Sequence, residues 1–137
     1  FRISKHTLPL LDSPYVPKSY FLSDLEELPT DLHNYVLKPL YSFAGTGVII
    51  NINQHDVDAI TDRENYILQR KVDYAPVIET PSDPSKCEIR MLMLWEPGAA
   101  RPEMVNNLAR LSKGIMVGGR YNKDKDWVGG SVGFFKT

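Results

Sequence analysis

Asn34-Tyr35-Val36-Leu37-Lys38-Pro39-Leu40-Tyr41-Ser42-Phe43-Ala44-Gly45-Thr46-Gly47-Val48-Ile49-Ile50 decides the reading of this chain. Tyr35, Val36 and Leu37 favour extended backbone, as do Val48, Ile49, Ile50 and Ile52. Between these runs lie Ser42, Ala44, Gly45, Thr46 and Gly47. Glycine there permits positive φ and lets backbone N–H groups close on an anion. Lys38 brings a point charge to the start of that turn, on the strand face it shares with Val36. The stretch reads as a β-hairpin able to cradle phosphate. An ordinary hairpin, whose glycines only make the turn, has the same pattern.

Two other phosphate loops are excluded. A Walker A loop needs Gly-Lys-Ser/Thr at the start of a helix, and here Gly47 leads into Val48 and a strand. A dinucleotide fingerprint needs a third glycine and a helix, and Val48-Ile49-Ile50 supplies neither.

The chain has 137 residues, enough for one domain with a real core. It is 42% hydrophobic and 24% charged, an ordinary globular composition. A formal net charge of -1 supplies no basic field, which argues against nucleic acid as partner. No apolar run reaches membrane-spanning length, and no signal peptide is visible. The single cysteine, Cys87, cannot form an internal disulfide, points to a cytoplasmic origin and reads as an inert thiol. His6, His33 and His55 lack metal-ligand spacing and read as surface residues. Asn122 to Asp126 starts like a calcium loop, but Trp127 and Gly133 stand where glycine and glutamate are required, so it reads as a solvated loop.

Patterning outlines the elements. Residues 1–13 predict a short helix interrupted near Pro9, and residues 15–22 a strand after Pro17. Ser23 with Glu26 forms the pattern of a capping box and predicts a helix over 24–28. Asn53 or Asp56 caps a helix that runs to about Arg63, and a strand follows over 64–73. Prolines 76, 81 and 84 make 74–86 a loop. The nearly continuous apolar run from Cys87 to Trp95 predicts a strand covered on both faces. Met104, Val105, Leu108 and Leu111 stand at helical spacing and predict a helix over 103–113. Residues 115–117 predict a short strand, 118–125 a loop, and 127–135 a final strand. The order predicts an α+β chain with antiparallel sheets.

Taken together, these pieces resemble the ATP-grasp superfamily, mostly ATP-dependent carboxylate–amine ligases that clamp ATP between two α+β lobes. Ser4-Lys5 followed by Val16-Pro17-Lys18-Ser19 is similar to that family's lysine-bearing helix and the strand after it. Tyr35 to Pro39 resembles the strand of the central ATP-binding lysine, and Ser42 to Val48 the glycine flap. Leu68-Gln69-Arg70-Lys71-Val72 resembles the hinge strand that reads adenine. Glu88-Ile89-Arg90, then Asn106-Asn107-Leu108 and Lys113-Gly114, resemble segments of the second lobe.

The resemblance implies two small lobes with antiparallel sheets: a lead-in over 1–30, an N-terminal lobe over 31–74 and part of a C-terminal lobe over 75–137. It implies ATP and Mg2+ as cofactors and a small-molecule or peptide carboxylate as substrate, with no membrane partner. Lys5, Lys38, Ser42, Gly45, Thr46 and Gly47 would meet the phosphates. Gln69, Arg70, Lys71 and Val72 would wall the adenine, beside Leu37 and Ile50, and Arg90 would be the catalytic cation. Phosphoryl transfer needs cations and positioning, with no protein nucleophile. Two departures stand out. Arg70 occupies the place of a hinge carboxylate, and after Asn107 the only acids are Asp124 and Asp126. The chain is therefore expected to be a fragment lacking the usual N-terminal domain and the C-terminal metal-binding elements. The alternatives are a nucleotide-binding module without catalysis, or an interaction domain using Trp127, Phe134 and Phe135.

Overall fold

The structure, a computed structural model, describes residues 4–134. The chain divides into two compact units, Phe1–Val72 and Asp73–Thr137. Each is built on its own antiparallel sheet, and helix is scarce in both.

In the first unit, β1 (Ser19–Phe21), β2 (Tyr35–Pro39), β3 (Ile49–Ile50) and β4 (Tyr66–Arg70) lie in the order β1-β4-β2-β3. The hairpin of the opening stretch is present, with Val36 opposite Ile50 and Leu37 opposite Ile49. Directly paired residues share a face of the sheet, so the register sorts the side chains. Tyr35, Leu37 and Leu68 lie on one face and form the core with Leu22, Ile52 and Val57. Val57 belongs to α1 (Gln54–Asp58), whose start is fixed by a capping box between Asn53 and Asp56. The helix is shorter than its sequence signal, because Ala59 and Ile60 close it with backbone bonds to His55 and Val57.

The opposite face carries Ser19, Val36, Lys38, Ile67 and Gln69. It is also largely buried: Ile67 is fully covered, and Gln69 is 5% exposed. A 3-10 turn at Leu8–Leu10 takes the place of the helix expected before Pro14 and packs beside β1. The helix expected over 24–28 is absent, and a 3-10 turn spans Leu22–Asp24. The reason is visible in Ser23, whose hydroxyl donates to Asp24 and caps nothing. His6 is not a surface residue either; its half-buried ring packs 5.7 Å from Phe21 and 5.5 Å from Tyr41.

In the second unit, β5 (Lys86–Leu94), β6 (Glu103–Ser112) and β7 (Gly129–Ser131) lie in the order β5-β6-β7. Residues 103–112 form β6, a strand and not the expected helix. The helical spacing of Met104, Val105, Leu108 and Leu111 loses to pairing along the whole length of β5, with a bulge at Leu92/Met93. The expected cover over β5 is also absent among the described residues. Ile89, Met91 and Trp95 are each at least 60% exposed. An apolar run therefore reported the strand but not its burial. Residues 115–117 form no strand, and β7 is shorter than the 127–135 expected; Phe135 lies outside the described residues. Among the described residues no helix is long and apolar enough to cross a membrane.

Candidate functional site

The polar face of the first sheet is where chemistry can be placed. Lys38 pairs with Ile67, and Gln69 pairs with Val36, so Gln69 is the diagonal neighbour of Lys38. Lys38 Nζ donates to Gln69 Oε1 at 2.5 Å. Gln69 Nε2 in turn donates to Ser19 Oγ at 2.8 Å, and Ser19 Oγ donates to the Pro17 carbonyl at 3.0 Å. This relay crosses β2, β4 and β1 and holds the ammonium in one place. Burial lowers the pKa of Lys38, and the like charge of Lys5 lowers it further. Among the described residues no carboxylate forms an ion pair with Lys38 or Lys5. A partly desolvated cation without a counter-ion attracts an anion more strongly than a solvated one does.

Lys5 sits differently. Its ammonium donates to Ser42 Oγ at 2.7 Å, the Pro39 carbonyl at 2.8 Å and the Ser42 carbonyl at 3.2 Å. Its own backbone N–H donates to the Leu40 carbonyl at 3.1 Å. Lys5 and Ser42 are thus brought to the base of the β2–β3 loop. The loop itself contains two tight turns. Ala44 and Gly45 have positive φ, and the Thr46 amide donates to the Phe43 carbonyl at 3.0 Å. The Val48 amide donates to the Gly45 carbonyl at 3.3 Å, with Gly47 at φ 71. Gly47 also presses on the proline: a Cβ there would stand 2.8 Å from Pro39 Cγ. The glycines therefore make the turn, and the Thr46 amide is engaged inside it.

Of the hinge residues, Gln69 and Arg70 end β4, and Lys71 and Val72 follow it. Gln69 turns its side chain to Lys38 and Ser19. The Arg70 amide donates to the Lys18 carbonyl and the Lys71 amide to the Asn34 carbonyl, both at 2.8 Å. These two amides are engaged because β4 is an interior strand. The Arg70 side chain pairs with Asp31 at 3.0 Å and lies over the Tyr35 ring. Val72 is exposed, Leu37 belongs to the core, and Ile50 shares the face of Val36.

Arg90 lies in the second unit. Its guanidinium is 3.5 Å from Glu88 Oε1, an atom that Arg110 also approaches, at 3.0 Å. Asn107 is occupied by backbone: its Nδ2 donates to the Gly133 carbonyl and its Oδ1 accepts from the Gly133 amide. The residue that sequence reading missed here is Asn122, which is buried. Its Oδ1 accepts from Ser112 Oγ and from the Lys113 and Gly114 amides, while Nδ2 donates to the Met116 and Gly118 carbonyls. Asparagine at a loop position was the one available hint. Trp127 and Phe134 are exposed, at 57% and 96%.

No group of three His, Cys, Asp or Glu side chains able to hold a metal occurs among the described residues. Asp124 and Asp126 make no exception, since Asp126 is held by Lys113 at 2.8 Å and by Ser82. Comparison with protein-family models, curated proteins and solved structures finds no match.

Proposed function

We propose that the chain carries the nucleotide site of an ATP-grasp-type ligase, which joins a carboxylate to an amine or thiol through an acyl phosphate. The observation that carries this reading is Lys38. It is a half-buried ammonium, steered by Gln69, uncompensated by any carboxylate among the described residues, and set at the base of a glycine loop. Two antiparallel sheets in two compact units are consistent with it.

In this reading Lys38 binds phosphate oxygens by charge-assisted hydrogen bonds. A substrate carboxylate oxygen attacks the γ-phosphorus, ADP leaves, and the amine or thiol then displaces phosphate from the acyl group. Cations stabilise the charge that develops on the transferring group, with no protein nucleophile. Among the described residues no group of three His, Cys, Asp or Glu side chains stands ready for magnesium, so no step is routed through it.

Calorimetric titration of the chain with ATP tests the reading, with AMP and Lys38→Met beside it. The expected result is binding of ATP that weakens by about tenfold or more when the ammonium or the β- and γ-phosphates are removed. Equal affinity of wild type and Lys38→Met for ATP would overturn it. A second reading, nucleotide binding without catalysis, is favoured by the engagement of Arg90 with Glu88. Release of ADP in the presence of a carboxylate and an amine would exclude it.

A further inference from the structure

Lys5 and Lys38 are close enough for the charge of one to bear on the other, yet their donors are used in opposite ways. An ammonium has three donors. Those of Lys5 meet three acceptors, namely the Pro39 carbonyl, the Ser42 carbonyl and Ser42 Oγ. Among the described residues Lys38 shows one protein partner, Gln69 Oε1, which leaves donors for a ligand. The acceptors of Lys5 belong to Pro39, the last residue of β2, and to Ser42 at the start of the loop between β2 and β3. The end of that loop is tied to the same proline, because Gly47 packs against the Pro39 ring. Pro39 is thus held at its carbonyl by Lys5 and at its ring by Gly47, immediately after Lys38 in the chain. A lysine whose donors are filled by main chain and a serine gains little by turning to phosphate, since each bond it makes breaks one it has.

We propose that Lys5 is a positioning residue that fastens the base of the 39–47 loop beside Lys38, and that it does not itself ligate phosphate. The inference rests on the nucleotide-site reading for its consequence, but its primary readout needs no nucleotide. The reporters are the Thr46 and Val48 amides, whose bonds close the two turns.

The test is amide hydrogen exchange of the ligand-free chain, with Lys5→Met, Lys5→Gln, Ser42→Ala and Lys38→Met, followed by ATP titration of each. Exchange at Thr46 and Val48 is expected to quicken about tenfold in Lys5→Met and about threefold in Ser42→Ala. Lys38→Met is expected to leave it unchanged. Lys5→Gln, which keeps donors but not charge, is expected to hold exchange and ATP affinity within about threefold of wild type. Unchanged exchange in Lys5→Met would overturn the proposal. So would Lys5→Gln losing as much ATP affinity as Lys5→Met while its loop stays protected, because that result assigns the charge to the ligand. If Lys5→Met does not fold, wild-type exchange in Ser42→Ala overturns the proposal in its place. If wild type binds no ATP, the nucleotide reading fails, and the exchange rates still decide whether Lys5 fastens the loop.

Discussion

At the scale of the residue, Lys38 carries a pH signature whose sign is determined. Burial, and then the charge of Lys5, hold its pKa in the folded chain below the ordinary 10.5. Between the two values the unfolded chain binds the more protons, so the contribution of Lys38 to stability rises with pH across that window. It is level below the folded pKa and again above 10.5. The stability of wild type relative to Lys38→Met should therefore increase as pH rises toward 10.5, as measured by urea unfolding at a series of alkaline pH values. A difference that stays flat or falls would contradict the desolvated ammonium. The position of Lys38 was legible, because strand alternation puts it on the face of Val36. Its partner was not: Gln69 reads as part of a hinge, and only the pairing of β2 with β4 makes the two diagonal neighbours. Lys5 was singled out only through the family resemblance, as a phosphate cation; its filling by Pro39 and Ser42 depends on a contact between distant parts of the chain.

At the scale of the element, local signals succeeded where the deciding contacts are local. Asn53 and Asp56 form their capping box within four residues, and α1 begins there. The β2–β3 hairpin follows from the glycines between its strands. Residues 103–112 show the opposite case, since their apolar spacing fits a helix until β5 offers a partner of matching length. The 112–122 segment is organised by one side chain, Asn122, which accepts from two backbone amides and donates to two carbonyls. Gly114 is required there for space, because a Cβ would stand 2.2 Å from the Tyr121 carbonyl oxygen. Asn122→Ala strands buried backbone groups and should cost about 3 kcal/mol in equilibrium unfolding of the second unit. A loss under about 0.5 kcal/mol would show that water replaces the amide without penalty.

At the scale of the whole molecule, the two units differ in how they hide apolar surface. The first closes a core between its sheet and α1. The second leaves the strand from Ile89 to Leu94 exposed among the described residues. That difference was not legible, because an apolar run announces a strand without saying what covers it. The nucleotide claim belongs to the first unit, and the probe must follow that unit. The direct measurement is scanning calorimetry of the chain with and without Mg-ATP, beside Lys38→Met, comparing shifts and not absolute midpoints. Ligand at about 100 times its dissociation constant should stabilise wild type by roughly 2.7 kcal/mol. The account predicts that shift in wild type and its loss in Lys38→Met. The same shift in both proteins, or none in wild type, would contradict it.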